Sequence, residues 1–175
     1  MAVQPVPEGY TTVTPWIICN DTAGLVDYLQ RAFDAEELGR FEMEDGTIGH
    51  VELRIGDARV MGFDSPKGWP VTPAFLRLYV PDAKETHRRA VGAGGESVTE
   101  VTLQFFGDEG GRVRDPFGNI WWIQSHVEDV DEAETERRLG DPKFTGAMEY
   151  AVESLVAAGP RLREDMEDME DTTVG

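Results

Sequence analysis

Apolar and polar residues alternate with a period of two along several stretches of this chain, and twice the period lengthens to that of a helix. The first stretch, Thr11–Asn20 (TTVTPWIICN), reads as a strand, with Pro15 at a strand start or edge. Asp21 is a good N-cap, and Leu25, Leu29, Ala32 and Phe33 then fall on one helical face. Glu36–Met43, Ile48–Ile55 and Ala58–Phe63 follow as strands. Asp45-Gly46 and Gly56-Asp57 separate them, and Asp-Gly between apolar runs is a strong hairpin signal. Thus the first half reads strand, helix, three strands.

After a Pro-rich link, Ser65–Pro73, the order repeats. Ala74–Val80 is a strand. Asp82 caps a helix, Glu85 three positions on completes a capping box, and Gly92-Ala93-Gly94-Gly95 ends it. Glu96–Leu103 is a strand, and Phe105–Gly110 reads as a loop. A hairpin then runs from Gly111 to Ser125, its strands Gly111–Asp115 and Asn119–Ser125 joined through Asp115-Pro116-Phe117-Gly118. Asp at i, Pro at i+1 and Gly at i+3 is the type I turn preference. Trp121 and Trp122 are adjacent on the last strand, so they must point to opposite faces. The shared element order of the halves amounts to an internal repeat.

Residues 128–175 break the pattern. Asp131 to Leu139 reads as a short exposed helix stopping at Gly140. Asp141 as N-cap and Pro142 at N1 open another, closed by Gly159-Pro160. Phe144, Met148, Ala151, Val152, Leu155 and Val156 make its apolar stripe. The expected division is a first module at 11–64, a second at 74–127, a helical extension at 128–160 and a disordered acidic tail at 161–175.

Charge narrows the possible partners. The chain carries 16 Lys and Arg against 34 Asp and Glu, and residues 128–175 hold 15 of those acids against 5 bases. Phosphate binding needs a basic surface, so no nucleic-acid partner is expected. No apolar run is long enough to span a membrane, and MAVQPVPEGY lacks the basic and apolar regions of a signal peptide. Cys19 is the only cysteine, so no intrachain disulfide can form. A cytoplasmic setting is the expectation.

The pieces TPWIICND, GHVELRIGDARVMGFD, LYVPDA and GDEGGRVRDPFGNIWWIQSHVEDV resemble the vicinal oxygen chelate superfamily, which holds glyoxalases, bleomycin-resistance proteins and dioxygenases. HVELRIGD and RVRDPFG…SHVED are similar to its PhnB-like branch. The resemblance covers roughly residues 11–130. It implies an α+β fold: two tandem βαβββ modules forming a curled mixed sheet around a cleft, here with C-terminal helices added. It also implies a homodimer, because many members pair their modules within or between chains. Metal enzymes of the superfamily place one ligand on the first and last strand of each module. Those places fall on Thr14, Glu52, Phe75 and Trp122, of which only Glu52 is a competent ligand. A catalytic zinc site needs about three protein ligands, so no metal cofactor is expected.

Residues two apart share a strand face. The cleft lining implied by the matched positions is Thr14, Trp16, His50, Glu52, Arg54, Phe75, Arg77, Tyr79, Trp122 and Gln124. An aromatic pocket with a few polar handles is the usual composition of a small-molecule site. Glu52 is the candidate catalytic group, with Arg54 or Arg77 as its expected partner. Three readings stay open: a metal-free small-molecule binder; a metal-dependent lyase, isomerase or dioxygenase using His50 and Glu52; and an interaction protein with a vestigial cleft. His126 is expected at the rim, His87 in solvent on a helix, and Cys19 as a small buried residue without a paired His. The C-terminal stripe must bury somewhere, on its own module's outer surface or, preferably, on a neighbouring subunit.

Overall fold

A computed structural model describes residues 3–70 and 72–159. The acidic tail at 161–175 and Pro160 lie outside the described residues. The first module contains β1 (Trp16–Cys19), α1 (Thr22–Phe33), β2 (Glu36–Glu42), β3 (Ile48–Ile55) and β4 (Ala58–Asp64). The second contains β5 (Phe75–Tyr79), α2 (Ala83–Gly92), β6 (Glu96–Leu103), β7 (Asp108–Arg114) and β8 (Ile120–His126). Two helices follow, α3 (Glu132–Leu139) and α4 (Pro142–Ala158). Each module is a four-stranded mixed sheet, ordered β1-β4-β3-β2 and β5-β8-β7-β6. The first strand of each pairs in parallel with the last, and the other pairings are antiparallel. The α+β architecture of two βαβββ modules is therefore the observed one, with no closed barrel.

The helices start where the caps place them. Asp21 accepts from Gly24 N at 2.8 Å, and Asp82 from Glu85 N at 2.9 Å. The capping box is incomplete: the Glu85 carboxylate turns to Arg88 at 2.6 Å instead of reaching back. An exposed Arg three residues on offers a bidentate ion pair, Nε and Nη2 each donating to one carboxylate oxygen, against the single bond a backbone N–H could give. Two strand bounds also differ from the sequence expectation. β1 begins only at Trp16, because Pro15 has no N–H to place in the ladder. β7 begins at Asp108, three residues earlier than expected, because the turn before it closes tightly, Gly107 N donating to Gln104 O and Gln104 N to Asp108 O. Residues 108–110 thus pair with 124–126 instead of forming a loop.

The Asp115–Gly118 turn forms as expected, Gly118 N donating to Asp115 O at 3.1 Å. Gly118 has φ +92°, a left-handed conformation that side chains resist. Asp115 itself is fully buried. One carboxylate oxygen accepts from Phe117 N (3.0 Å) and Asn119 N (2.9 Å), the other from Asn119 Nδ2 (2.8 Å) and Trp121 Nε1 (2.9 Å).

One core joins both modules, and it sits around the helices. Ile17, Leu25, Leu29, Phe33, Val51 and Leu53 of the first module share it with Ala90, Val113, Trp121 and Ile123 of the second. α1 packs on α2, and the sheets meet chiefly through these helices. Phe33 lies 4.9 Å from Trp121, centroid to centroid. Arg31 donates to Ala93 O across the junction, and Arg89 pairs with Asp34 at 2.6 Å. At this close approach a Cβ on Gly95 would lie 2.5 Å from Val113 and 2.8 Å from the Tyr28 hydroxyl. Each sheet therefore gives one face to the shared core and turns the other away from it.

α4 lies on its own chain, against β6. Arg112 donates to Ala151 O and Arg114 to Ala158 O and Gly159 O, while Thr99 bonds Ser154 at 2.7 Å. Val113, between the two arginines, belongs to the core, so α4 covers the opposite face of the second sheet. The inner side of the stripe thus packs on its own module, on the face turned away from the core, rather than on the neighbouring subunit preferred from the sequence. Two carbonyls of the last helical turn meet a buried guanidinium there, which satisfies orphan acceptors and the negative helix end together. The stripe is only part-buried: Phe144 and Ala151 are covered, Val152 and Val156 stay exposed. No helix among the described residues is long and apolar enough to cross a membrane.

Candidate functional site

The sequence-predicted lining falls on the outward faces of two different sheets, and only Arg54 of the first set meets members of the second, Arg77 and Tyr79, around one cavity at the module junction. Trp16, His50, Glu52 and Arg54 lie on the first sheet, on the face away from Ile17, Val51 and Leu53. Phe75, Arg77, Tyr79, Trp122 and Gln124 lie on the second sheet, away from Trp121 and Ile123. Thr14 precedes β1 and belongs to neither strand.

On the first face, pairing of β1 with β4 sets Trp16 beside Met61, and Met61 opposes Glu52. Trp16 is 53% exposed, so its indole is open to a partner. Its ring lies 5.2 Å from Phe63 and 6.3 Å from His50, and Trp69 from the linker meets Phe63 at 6.0 Å. Glu52 pairs with Arg59 at 2.9 Å, not with Arg54 or Arg77. The register explains the correction: Arg59 is the diagonal cross-strand neighbour of Glu52, whereas Arg54 stands directly opposite Glu36 and pairs with it. A hydrogen bond from Tyr10 holds the Glu52 carboxyl below its usual value against desolvation, helped by His50 and Arg59. The Arg59 guanidinium also lies over the Tyr10 ring, 4.6 Å from its centroid. Glu52 is thus a charged, engaged carboxylate, which makes it a weak proton acceptor near neutrality.

The second face centres on Trp122. Arg77 stacks 4.4 Å from its ring centroid and Arg112 4.0 Å. Phe75, 53% exposed, meets it edge-on at 6.4 Å. Arg112 is buried, and its Nε finds no hydrogen-bond partner among the described residues. Burial lowers the Arg112 pKa, and the Arg77 charge lowers it further. Gln124 is fully buried at the foot of the face, where its amide donates to Asp108 at 3.4 Å. Asp108 also accepts from Tyr79 at 2.9 Å and pairs with His126 at 2.8 Å. Hydrogen bonds to Asp108 and Asp129 raise the His126 pKa.

Neither Arg77 nor Arg112 makes an ion pair among the described residues. Every other described arginine does, from Arg31 with Asp27 to Arg138 with Glu128. Arg77 and Tyr79 also border a cavity of about 740 Å³ at the module junction, with Phe33, Arg54 and Arg89.

Of the four superfamily metal positions, Phe75 and Trp122 carry no side chain able to ligate a metal, and Glu52 is the competent one. Glu52 carries His50 at 3.5 Å, and no group of three or more His, Cys, Asp or Glu is gathered among the described residues. Phe75 and Trp122 stand on the other sheet. His87 departs from expectation: it is buried and meets Ser97 Oγ at 3.2 Å, because α2 lays that face on β6. Cys19 is buried beside Thr22, and desolvation pushes its pKa up to about 11. His126 is half exposed at the end of β8, as a rim residue would be.

Arg59, Tyr10, Asp108 and Arg112 were not legible as site residues from motif matching. Arg112 had a usable signal. Counting back from the Asp115–Gly118 turn pairs Arg114 with Ile120 and Arg112 with Trp122, the register observed.

The family model for the glyoxalase/bleomycin resistance protein/dioxygenase superfamily matches residues 10–123. The chain belongs to this superfamily. An uncharacterized protein of Mycobacterium bovis is 34% identical over 150 residues, spanning 79% of this chain and 96% of that protein. Among solved structures, TioX from Micromonospora sp. ML1 superposes with a TM-score of 0.58 at 26% identity, covering 67% of this chain and 99% of TioX. A Bacillus cereus PhnB protein, described as a putative 3-demethylubiquinone-9 3-methyltransferase, superposes at 0.50 with 14% identity, over 67% of this chain and 100% of that one. The family-model match ends at residue 123, before α3 and α4.

Proposed function

We propose that this superfamily member binds a small molecule, without a resident metal, in a cleft completed by a second copy of the chain. The observation that carries the reading is the placing of two aromatic, polar-studded clusters, around Trp16 and around Trp122, on two different sheets, each on the face turned away from the shared core. Trp16 with His50 and Glu52 is half a lining, and Phe75 with Arg77 and Trp122 is the other half. Each half ends at an edge strand, β1 or β5, that has a sheet neighbour on one side only. An open edge beside exposed aromatics is a surface that proteins ordinarily cover. Setting the first sheet of one protomer beside the second sheet of another covers both and encloses the cleft. The HVELRIGD and RVRDPFG…SHVED pieces favour the PhnB-like branch for this binder.

The test is complementation. Light scattering on the full chain gives a dimer at micromolar concentration, and a ligand library read by tryptophan fluorescence gives binders. Trp16→Ala and Trp122→Ala each lose binding alone. Co-refolding equal amounts of the two variants restores about a quarter of the sites, because about half of the dimers are mixed and each mixed dimer has one intact cleft and one doubly damaged. A monomer that still binds through Trp16 and Trp122, or a mixture that restores nothing, overturns the shared cleft. Elemental analysis showing one transition metal per chain, lost in Glu52→Ala, overturns the metal-free part.

A further inference from the structure

The second face carries a more specific message about the ligand. In a chain with 34 acids and 16 bases, carboxylates are plentiful, and the described arginines find them. The two exceptions are the pair stacked on Trp122. They are neighbours of like charge, and one of them is buried with an unmet Nε. Burying an unpaired guanidinium is costly. The indole offsets part of that cost through its face, and Ala151 O and Thr99 Oγ1 accept from Arg112 Nη1. Among the described residues neither guanidinium makes an ion pair, although Asp34, Glu36, Asp57, Asp82 and Glu85 line the cavity that Arg77 borders.

We infer that the Arg77–Trp122–Arg112 stack recognises a planar aromatic carboxylate. This rests on the binding reading above and adds the ligand's charge and shape. Arg77 is the group in contact: it is exposed, and its planar fork matches a carboxylate with two parallel hydrogen bonds. Phe75 and Tyr79 stand two residues to either side of Arg77 on the same strand face, and both are largely exposed. Adjacent members of that row are about 6.6 Å apart, at about 3.3 Å per residue, so a ring paired through Arg77 is flanked by aromatic walls. Arg112 is a positioning residue. It lies against Trp122 from the α4 side, keeps the indole oriented and adds positive potential beneath it. A cationic ligand, which the acidic surface attracts at long range, meets two unneutralised guanidiniums here and is repelled.

Three probes of one shape separate the cases: 2-naphthoate, 2-naphthylmethylammonium and 2-naphthalenemethanol, titrated calorimetrically into the full chain. Naphthoate binds at least about tenfold more tightly than either other probe, the discrimination expected of one charge-assisted bidentate pair. Arg77→Gln abolishes that preference, bringing naphthoate down to the level of the other probes, while Arg77→Lys keeps charge but loses the fork and falls between. Arg77 is exposed, so these variants fold, which circular dichroism confirms. Equal affinity for all three probes, or naphthoate binding indifferent to Arg77→Gln, overturns the inference while leaving a binding cleft in place. Failure of all three probes to bind also overturns it, and the ligand library then decides the broader reading separately.

Discussion

Replacing Asp115 tests the turn on which the whole second face depends. Its carboxylate accepts four hydrogen bonds within 3.0 Å, and Asn119 and Trp121, which supply three of them, are 1% exposed. In Asp115→Ala those donors lose their acceptor with no access to water. An orphaned buried donor costs about 1–3 kcal/mol. The sum is reduced because burial of a charge is relieved at the same time: desolvation is the largest influence on Asp115 and raises its pKa, against the four donors. A net loss of about 3–4 kcal/mol follows, a large share of the ~5–15 kcal/mol of a typical domain. Asp115→Asn keeps one acceptor oxygen but turns an amide N–H toward two donors, so it loses roughly 2–3 kcal/mol.

The pH dependence has a definite sign. A carboxyl whose pKa is higher folded than unfolded stabilises most when both states are protonated. That stability is lost as pH rises from the unfolded value of about 3.9 through the folded one. The stability gap between the native chain and Asp115→Asn is therefore widest in acid, narrows as pH rises through that window and is constant above it. Urea melts of both proteins at several pH values measure it. A gap that widens with pH, or an Asn variant as stable as the native chain at pH 7, refutes the reasoning.

The adjacent tryptophans should behave oppositely: Trp121→Ala loses about 3–5 kcal/mol of stability, whereas Trp122→Ala loses ligand binding first, and denaturant melts beside a binding assay compare them. An ordinary loss of stability in both with no separate effect on binding would place Trp122 in the core. His126, its pKa raised by Asp108 and Asp129, should titrate above about 6.5 by NMR. Its contribution to stability is complete below the unfolded value and lost as pH rises through the folded one, so a midpoint at or below 6.5 counts against the pairing. The Cys19 thiol, pushed up to about 11 by burial, should react with a disulfide reagent only when the chain unfolds; rapid stoichiometric labelling of the native protein contradicts this.

Much of the fold was legible because its signals are local. Asp21 and Asp82 cap where N-cap chemistry puts them, Asp-Pro-Phe-Gly turns as a type I turn, and Trp121 and Trp122 split to opposite faces because a strand has a period of two. The site was less legible, because its partners are set by register and by assembly. Glu52 finds Arg59 and not Arg54 through a diagonal across β3 and β4 that no motif announces. Tyr10 joins them from a lead-in whose path depends on tertiary contacts. His87 is polar on a helix that otherwise reads as half exposed, and only the docking of α2 on β6 buries it.

The position of α4 bears most on what the cleft can hold. Its stripe has two sides, one turned to the second sheet and one left in solvent, with Val152 and Val156 exposed. The inner side is fixed by backbone carbonyls bound to Arg112 and Arg114 rather than by apolar burial alone. Those arginines stand on the same face as Trp122, so the helix fills the β6–β7 half of the face and leaves the β5–β8 half open. In the proposed cleft a ligand would meet Phe75, Arg77, Tyr79 and one edge of Trp122, with α4 as a wall. The exposed side of the stripe turns away from the sheet, where burial of each valine is worth ~1.5–3 kcal/mol at most. In the two-copy arrangement that side is available to the partner protomer. The same helix thus narrows the site on one side and offers apolar surface for assembly on the other.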